Sequence, residues 1–261
     1  MSEANGERST RQSENERALS RDRYDAVLLD LDGVITDTAS VHAACWKQMF
    51  DEYLQKRATQ KGEVFHPFDS AADYRLYVDG KPRFDGVRDF LSSRGIGLPE
   101  GTPDDPPDAE TVGGLGNRKN ELVNKVIEER GVEPYEGSVK LIHQLRLRGF
   151  KIAVVTSSQN CAIVLKAVKL DGFFDVQVDG NVIHARQLRG KPAPDTFLMA
   201  AKLLGVEPAR AVVIEDALSG VEAGSAGGFG LVIGVARKRN AEELRRHGAH
   251  LAVDDLGELA D

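Results

Sequence analysis

A group of aspartates near the start of the chain has the spacing of a reactive site. The segment DLDGVITDT, residues 30–38, places Asp30, Asp32 and Asp37 within eight residues, and the apolar run AVLLDL at 26–31 leads into it. Like charges that lose hydration repel one another, so such a group needs a cation among its members. Two carboxylates two residues apart after a strand can face one group, one as nucleophile and one as proton carrier.

Short apolar runs predict the strands that would position these acids. The runs are rich in Val and Ile and lie at 26–31, 151–157, 211–216 and 231–235. Such near-continuous runs are typical of a parallel sheet that helices cover on both faces. Helical patterns at 138–149 and 195–205, each ending in a glycine, separate them. This alternation predicts an α/β protein with a doubly wound parallel sheet.

The stretch after the first strand departs from that alternation. A first helix is predicted over 38–58, and shorter ones begin near Val87 and Asn117. Between the last two, residues 97–116 hold four prolines, five glycines and five acids, which favours a loop. The predicted domains are a disordered N-terminal tail over 1–21, an α/β core over 22–37 and 133–261, and a helical insert over 38–132.

Composition excludes several classes of partner. The net charge is -7 and no basic stripe occurs, which argues against nucleic-acid binding. No run of about 18 apolar residues suggests a membrane span, and the first residues have no apolar core of a secretory signal. The two cysteines, Cys45 and Cys161, indicate no disulfide framework. We therefore expect a cytoplasmic protein that binds a small molecule. Separately, we expect a monomer.

Polar residues follow the ends of separate predicted strands. They are Asp30 and Asp32 after the first, Thr156, Ser157 and Ser158 after the second, and Glu215 and Asp216 after a later one, with Lys191 ahead of a helix. Taken singly, each has a simpler interpretation as a turn, a helix cap or a solvated cation. Together they lie where open parallel sheets bind ligands. The carboxylates suit Mg²⁺, and the lysine supplies a second cation.

Four segments carry a resemblance to a known family. DLDGVITDT, VVTSS, GKPAPD and VIEDALSGVEA, in this order, resemble the motifs of the haloacid dehalogenase superfamily over about residues 25–235. The resemblance implies a Rossmann-like core with an inserted α-helical cap. It implies that Asp30 is the nucleophile and Asp32 the general acid/base, while Thr156 and Lys191 hold the phosphoryl oxygens. The Mg²⁺ ligands that it implies are Asp30, Asp216 and the backbone carbonyl of Asp32, with Glu215 in or next to the shell.

Within the superfamily the chain is most similar to the β-phosphoglucomutase-like branch. Members that act at carbon lack the second aspartate, so Asp32 favours phosphoryl transfer. The residues that the branch implies as substrate-binding are His42, Trp46, Arg83, Lys119, Ser158 and Asn160. From composition alone, His42 is a helix-surface or core residue, and Arg83 and Lys119 are solvated surface cations. The chain departs from the pattern at Gln159, where the branch carries Lys.

The resemblance implies a Mg²⁺-dependent enzyme that works through an aspartyl phosphate. The expected reaction converts β-D-glucose 1-phosphate to D-glucose 6-phosphate. The alternative is a sugar-phosphate phosphatase that uses the same residues with water as the acceptor. A non-catalytic binding protein is the third hypothesis, and it is disfavoured because no chemical residue is missing. The long cap also resembles that of relatives which accompany disaccharide phosphorylases, and this implies such an enzyme as the source of the substrate.

Overall fold

The computed structural model describes residues 18–237 and 239–260 of the chain. Two compact units form, one from residues before 38 and after 132, and the other from residues 38–132. Of the predicted tail, residues 1–17 lie outside the described residues. Leu19 is fully buried, and its carbonyl accepts a hydrogen bond from Arg148. The folded chain therefore includes residues ahead of the predicted boundary at residue 22.

The first unit is built on one sheet of six strands, all pairing in parallel, in the order β3-β2-β1-β4-β5-β6. The strands are β1 Ala26–Leu29, β2 Lys151–Val155, β3 Val176–Val178, β4 Ala211–Glu215, β5 Leu231–Val235 and β6 Leu251–Val253. Its helices are α4 Glu136–Leu147, α5 Cys161–Ala167, α6 Gly180–Ala185, α7 Asp195–Leu204, α8 Leu218–Ala226 and α9 Ala241–Arg246. The predicted doubly wound α/β class is confirmed. The two outermost strands were not predicted, because three residues are too few to show a pattern.

Strand β1 lies at the centre of the sheet, between β2 and β4. All four of its residues are buried, as are all five of β4, which is the burial that continuous apolar runs predict. The chain runs outward from β1 through β2 to β3 and then returns to the other side of β1 as β4. This reversal is a topological switch point, where open α/β sheets leave a crevice beyond the carboxyl ends of the strands.

The second unit is helical and has its own core. Its helices are α1 Ala39–Lys61, α2 Arg83–Ser93 and α3 Val112–Arg130, together with a π-helical turn at Tyr74–Val78. Aromatic rings fill the core, and the ring centroids of Phe50 and Phe90 lie 4.2 Å apart. Phe68 is also buried against both rings. Such rings bury large apolar areas, and this lets a unit of helices form a separate core. The predicted helical insert is confirmed.

Helix α3 begins earlier than predicted. The sequence predicts a loop as far as residue 116, but the helix starts at Val112. The side chain of Thr111 accepts a hydrogen bond from the amide of Gly114 at 2.9 Å and so caps the first turn. A stretch rich in glycine has low helix propensity, so its helical structure here comes from the cap and from tertiary packing.

None of the helices in the described part of the chain is both long and apolar enough to cross a membrane. The longest of these helices, α1, has 23 residues but carries six charged side chains between Lys47 and Lys61. Cys45 and Cys161 are both buried free thiols.

Candidate active site

Three buried carboxylates meet at the switch point of the sheet. Asp30 follows β1, Glu215 is the last residue of β4, and Asp216 comes next. Leu29 lies opposite Ile214 in the parallel pairing, so the residues that follow them emerge side by side. One carboxylate oxygen from each of the three acids lies within 4.8 Å of the others. The pairing of two strands therefore brings together acids that are far apart in the sequence.

Lys191 lies among these acids. Its Nζ is 2.5 Å from Asp30 Oδ1 and 2.5 Å from Glu215 Oε1, and it donates to the carbonyl of Val155 at 3.2 Å. Only 1% of its side chain is exposed. Burial by itself lowers the pKa of Lys191, but the carboxylates of Asp30 and Glu215 outweigh this and hold it above its ordinary value. The lysine is therefore charged and provides one of the cations that the aspartate cluster needs.

The lysine does not balance all of the negative charge. Burial raises the pKa of Asp30 well above its ordinary value; Lys191 opposes this, whereas Glu215 and Asp32 raise the pKa further. Asp30, Glu215 and Asp216 are three buried carboxylates, and the ammonium group of Lys191 pairs with the first two of them. Hard oxygen ligands with an excess of negative charge fit a divalent cation, so these residues could hold a metal ion.

Asp32 and the residues after β2 form a second group next to β1. Asp32 is half-buried, and one of its carboxylate oxygens accepts a hydrogen bond from Thr156 Oγ1 at 3.3 Å. The Thr156 hydroxyl accepts from the amide of Ser158 at 3.1 Å, and Ser158 Oγ accepts from the amide of Asn160 at 3.2 Å. The four predicted residues are therefore joined by one chain of hydrogen bonds. The carboxylate of Asp32 is not in the group around Lys191, and only its backbone carbonyl was expected to bind metal.

Gly33 explains how the chain turns so tightly after Asp32. Its φ is +89°, in the left-handed region where side chains are strained. A Cβ atom at this position would also overlap the carboxylate of Asp216. The glycine of the DLDGV segment is therefore needed for the acids after β1 and β4 to approach each other.

Arg237 is a residue of this region that the sequence analysis missed. Its Nε donates to the carbonyl of Gly33 at 3.3 Å, and its guanidinium lies 3.6 Å from the centroid of the Tyr135 ring. The Tyr135 hydroxyl donates to Asp37 Oδ1 at 2.9 Å, and Asp37 is exposed. The third aspartate of the opening segment therefore binds a tyrosine and does not join the buried cluster. No local pattern marks Arg237, since it lies 204 residues from its acceptor.

Three of the predicted substrate-binding residues meet in the helical unit. Lys119 Nζ is 2.8 Å from His42 Nδ1 and 5.0 Å from the centroid of the Trp46 ring. Lys119 is only 6% exposed, so the interpretation of this residue as a solvated surface cation is wrong. Arg83 is half-buried, and its Nη2 donates to Asn117 Oδ1 at 2.7 Å. Burial lowers the pKa of Arg83. Both cations therefore lie in partly desolvated surroundings, where an anion is bound more strongly.

Replacing Lys191 with alanine is expected to destabilise the protein. Removing one partner of a buried ion pair leaves uncompensated charge, and the free energy of unfolding should fall by about 3–5 kcal/mol. The measurement is urea denaturation without added metal, with Lys202→Ala as the control, because Lys202 is an exposed lysine of α7. Equal denaturation midpoints for the two variants would show that the ammonium does not stabilise the cluster.

Comparisons with known proteins agree with the geometry. The family model described as haloacid dehalogenase-like hydrolase matches residues 24–228. The β-phosphoglucomutase of Mycobacterium bovis is 54% identical over 237 residues, which cover 90% of each chain. The β-phosphoglucomutase of Bacillus subtilis is 33% identical over 89% of this chain and 94% of its own. A crystal structure of β-phosphoglucomutase from Clostridium difficile superposes with a TM-score of 0.70 at 26% identity, covering 90% of this chain and 93% of that one.

Proposed function

Because the chain belongs to the haloacid dehalogenase-like hydrolase family and to its β-phosphoglucomutase-like branch, we propose that it converts β-D-glucose 1-phosphate to D-glucose 6-phosphate. The observation that carries this proposal is the buried Asp30 beside Lys191 and two further acids. A carboxylate held next to an ammonium group is arranged to attack phosphorus while the cation stabilises charge on the phosphoryl oxygens. The 54% identity to a named mutase supports the choice of substrate.

Mg²⁺ is the cofactor that the acidic cluster fits best. We propose that the carboxylates of Asp30 and Asp216 and the carbonyl of Asp32 bind it, with Glu215 in or next to the shell. The bound ion would offset charge on the carboxylates and on the phosphoryl oxygens. Glu215 also accepts from the amide of Ala217 at 2.8 Å and from Lys191, which fixes its orientation.

The first half of the cycle transfers a phosphoryl group from the enzyme to the sugar. Asp30 carries the phosphoryl group as an aspartyl phosphate. Asp32 takes the proton of the 6-hydroxyl of β-glucose 1-phosphate, and the 6-oxygen attacks phosphorus as the bond to the Asp30 oxygen breaks. Lys191 and the Thr156 hydroxyl bind the phosphoryl oxygens and stabilise their charge. The products of this half are a free Asp30 carboxylate and glucose 1,6-bisphosphate.

The second half regenerates the aspartyl phosphate. The bisphosphate turns over, Asp30 attacks the phosphorus at position 1, and Asp32 returns its proton to the departing sugar oxygen. Glucose 6-phosphate leaves, and the enzyme is phosphorylated again. The proposed substrate-binding residues are Ser158 and Asn160 in the first unit and His42, Trp46, Arg83 and Lys119 in the helical unit. One acid–base group thus serves both halves, since each half reverses the proton transfer of the other.

The test of this function compares two products. Wild-type protein is incubated with β-glucose 1-phosphate, Mg²⁺ and a trace of glucose 1,6-bisphosphate, and glucose 6-phosphate and inorganic phosphate are measured in the same tube. Glucose 6-phosphate should greatly exceed phosphate, and α-glucose 1-phosphate should not be isomerised. Release of one phosphate for each substrate consumed would instead favour hydrolysis.

A sugar-phosphate phosphatase is the second candidate. The matching family model is described as a hydrolase, and water can replace the sugar hydroxyl with the same core residues. For a mutase, the bound hydroxyl has to compete with water at about 55 M, and a well-oriented group can reach an effective molarity of about 10⁵ M or more. The product ratio therefore separates the two functions directly.

Removing the metal is expected to stop the reaction. Three buried acids with one lysine leave negative charge that should repel a phosphate, so a chelator should reduce mutase turnover to background. Added Mg²⁺ should restore it. Activity that persists in excess chelator, measured as glucose 6-phosphate formed, would show that the cluster works without a divalent ion.

Replacing Arg83 or Lys119 with alanine is expected to lower mutase kcat/KM by about ten- to a hundredfold. Each cation is proposed to bind the phosphate that is not being transferred, and a charge-assisted hydrogen bond is worth about 1.5–3 kcal/mol. Hydrolysis of acetyl phosphate, which has no second phosphate, should change by only a few fold. The assay compares both activities for each variant.

A lysine that is exposed on the same helix provides the control. Lys125 lies in α3, and 71% of its side chain is exposed, so Lys125→Ala should leave both activities unchanged. Equal loss of both activities in the Arg83 or Lys119 variant would point to a damaged fold. No loss in either activity would remove these residues from the proposed site.

The remaining expectations stay predictions. They are a cytoplasmic location, a monomeric state and a disaccharide phosphorylase as the source of β-glucose 1-phosphate. Gel filtration of the purified protein checks the second of these.

A further inference from the structure

Asn117 joins Arg83 to the long loop that precedes α3. Its Oδ1 accepts a hydrogen bond from Arg83 Nη2 at 2.7 Å. Its Nδ2 donates to two loop carbonyls, those of Pro103 at 2.9 Å and Asp105 at 2.7 Å. An amide with both ends bonded in this way has one orientation, because a flipped amide would present its NH₂ group to the guanidinium and its oxygen to the carbonyls. The loop thereby decides where the Asn117 oxygen points.

The loop is itself held in one shape. The carboxylate of Asp105 accepts from the hydroxyl of Thr102 at 2.7 Å and from that of Thr111 at 2.6 Å. The first amides of α3, those of Val112 and Gly113, donate to the carbonyls of Pro99 and Glu100, each at 3.0 Å. The loop thus folds back over the start of α3, and its backbone satisfies amides that a helix end leaves without partners.

Glycines make this close approach possible. A Cβ atom on Gly113 would overlap the carbonyl of Thr102, and one on Gly114 would overlap the carbonyl of Ala109. A Cβ atom on Gly116 would overlap the ring of Phe84, on which the guanidinium of Arg83 lies at 4.6 Å from the centroid. The glycines that predict a loop from composition therefore allow the loop, helix α3 and Arg83 to lie in close contact.

From these contacts we propose that Asn117 is a positioning residue, which holds the guanidinium of Arg83 ready for the second phosphate of the substrate. Asn117 is a neutral acceptor, so it orients the arginine without cancelling its charge, as a carboxylate at the same place would. Arg83 loses less conformational freedom on binding phosphate if its side chain is already held in place. The role of the loop at 99–111 is then to orient Asn117. The inference rests on the proposed function, in which Arg83 binds that phosphate.

The first test replaces Asn117 with alanine and measures mutase kinetics. Misplacement of a positioning group by about 1 Å can lower activity about 10²-fold, so kcat/KM should fall roughly ten- to a hundredfold, mainly through KM. Hydrolysis of acetyl phosphate should change by only a few fold. Asn124→Ala, about two turns further along α3, is the matched control and should match wild type in both assays.

A second variant keeps the shape of the side chain and changes its charge. Asn117→Asp preserves the oxygen that faces Arg83 but adds a negative charge, so it should raise KM for the sugar phosphate more than Asn117→Ala does. A merely structural role predicts that Asn117→Asp lowers turnover of the sugar phosphate and of acetyl phosphate alike, because its second oxygen would repel the two loop carbonyls. If the alanine variant does not fold, Asn117→Asp is compared with the wild type: its KM for the sugar phosphate should rise, while hydrolysis of acetyl phosphate should change by only a few fold.

A double-mutant cycle with Arg83→Ala completes the test. If Asn117 acts through Arg83, Asn117→Ala should cause no further loss in the Arg83→Ala background. Full additivity of the two losses, or an equal loss with acetyl phosphate, would overturn the inference while leaving the mutase function intact. A wild-type protein that forms no glucose 6-phosphate would instead overturn the proposed function, and the substrate role of Asn117 with it.

Discussion

Asp30→Asn is expected to abolish both mutase and phosphatase turnover. The amide has the shape of the carboxylate and still accepts a hydrogen bond from Lys191, so the buried cluster should stay folded. It is a far weaker nucleophile, and no second carboxylate occupies its position after β1. The measurements are product formation and the covalent phosphoryl group, detected by mass spectrometry of the intact protein after acid quench. The phosphoenzyme should be absent.

Asp37→Asn is the matched control for that experiment. Asp37 belongs to the same segment but is exposed and bonded to Tyr135, so its variant should keep most of the activity. Residual turnover of more than a few per cent in Asp30→Asn would contradict the assignment of the nucleophile. Loss of activity in both variants would mean that the segment tolerates no change. The phosphoenzyme measurement would then show whether Asp30 is the nucleophile.

Asp32→Ala should lower mutase turnover by about 10²–10⁴-fold, the usual effect of losing a general acid–base group. Its carboxylate is bonded to Thr156 and lies outside the group around Lys191, so its removal should leave the nucleophile in place. The variant should still be phosphorylated by acetyl phosphate, because that leaving group needs little help from an acid. Transfer from the phosphoenzyme to the sugar hydroxyl should be the step that is lost.

Pre-steady-state measurement separates these two steps. Phosphoenzyme formation from acetyl phosphate is followed first, and its decay on adding β-glucose 1-phosphate is followed next. A loss of less than tenfold in the decay would argue against a proton-transfer role. Failure to form the phosphoenzyme at all would place Asp32 in the attack itself, contrary to the proposal.

Local sequence patterns were sufficient for the central part of the fold. The apolar run at 26–31 predicted a buried strand, and β1 lies there with all of its residues buried. The predicted helix at 38–58 corresponds to α1 at Ala39–Lys61. Both predictions were correct because a long buried element leaves a periodic or continuous apolar pattern in adjacent residues. The acids at the strand ends were predictable for the same reason, since they directly follow such runs.

Elements whose structure depends on distant partners were not predictable. Strands β3 and β6 have three residues each and exist because a longer neighbour pairs with them. The first turn of α3 contains glycines, and its helical structure depends on the Thr111 cap and on a loop that folds back over it. Propensity alone assigns such residues to a loop, and tertiary contacts override it.

The candidate site shows the same division. The types of its residues can be read in the sequence, and so can the need for a cation among the aspartates. Which of those aspartates share the cation depends on the tertiary structure. Asp37 is exposed, whereas Asp30 contacts Lys191, which lies 161 residues further along the chain. That contact depends on β1 lying between β2 and β4, an order fixed by strand pairings between distant segments. A one-dimensional pattern records whether a residue is buried, but it does not record which distant residue lies beside it.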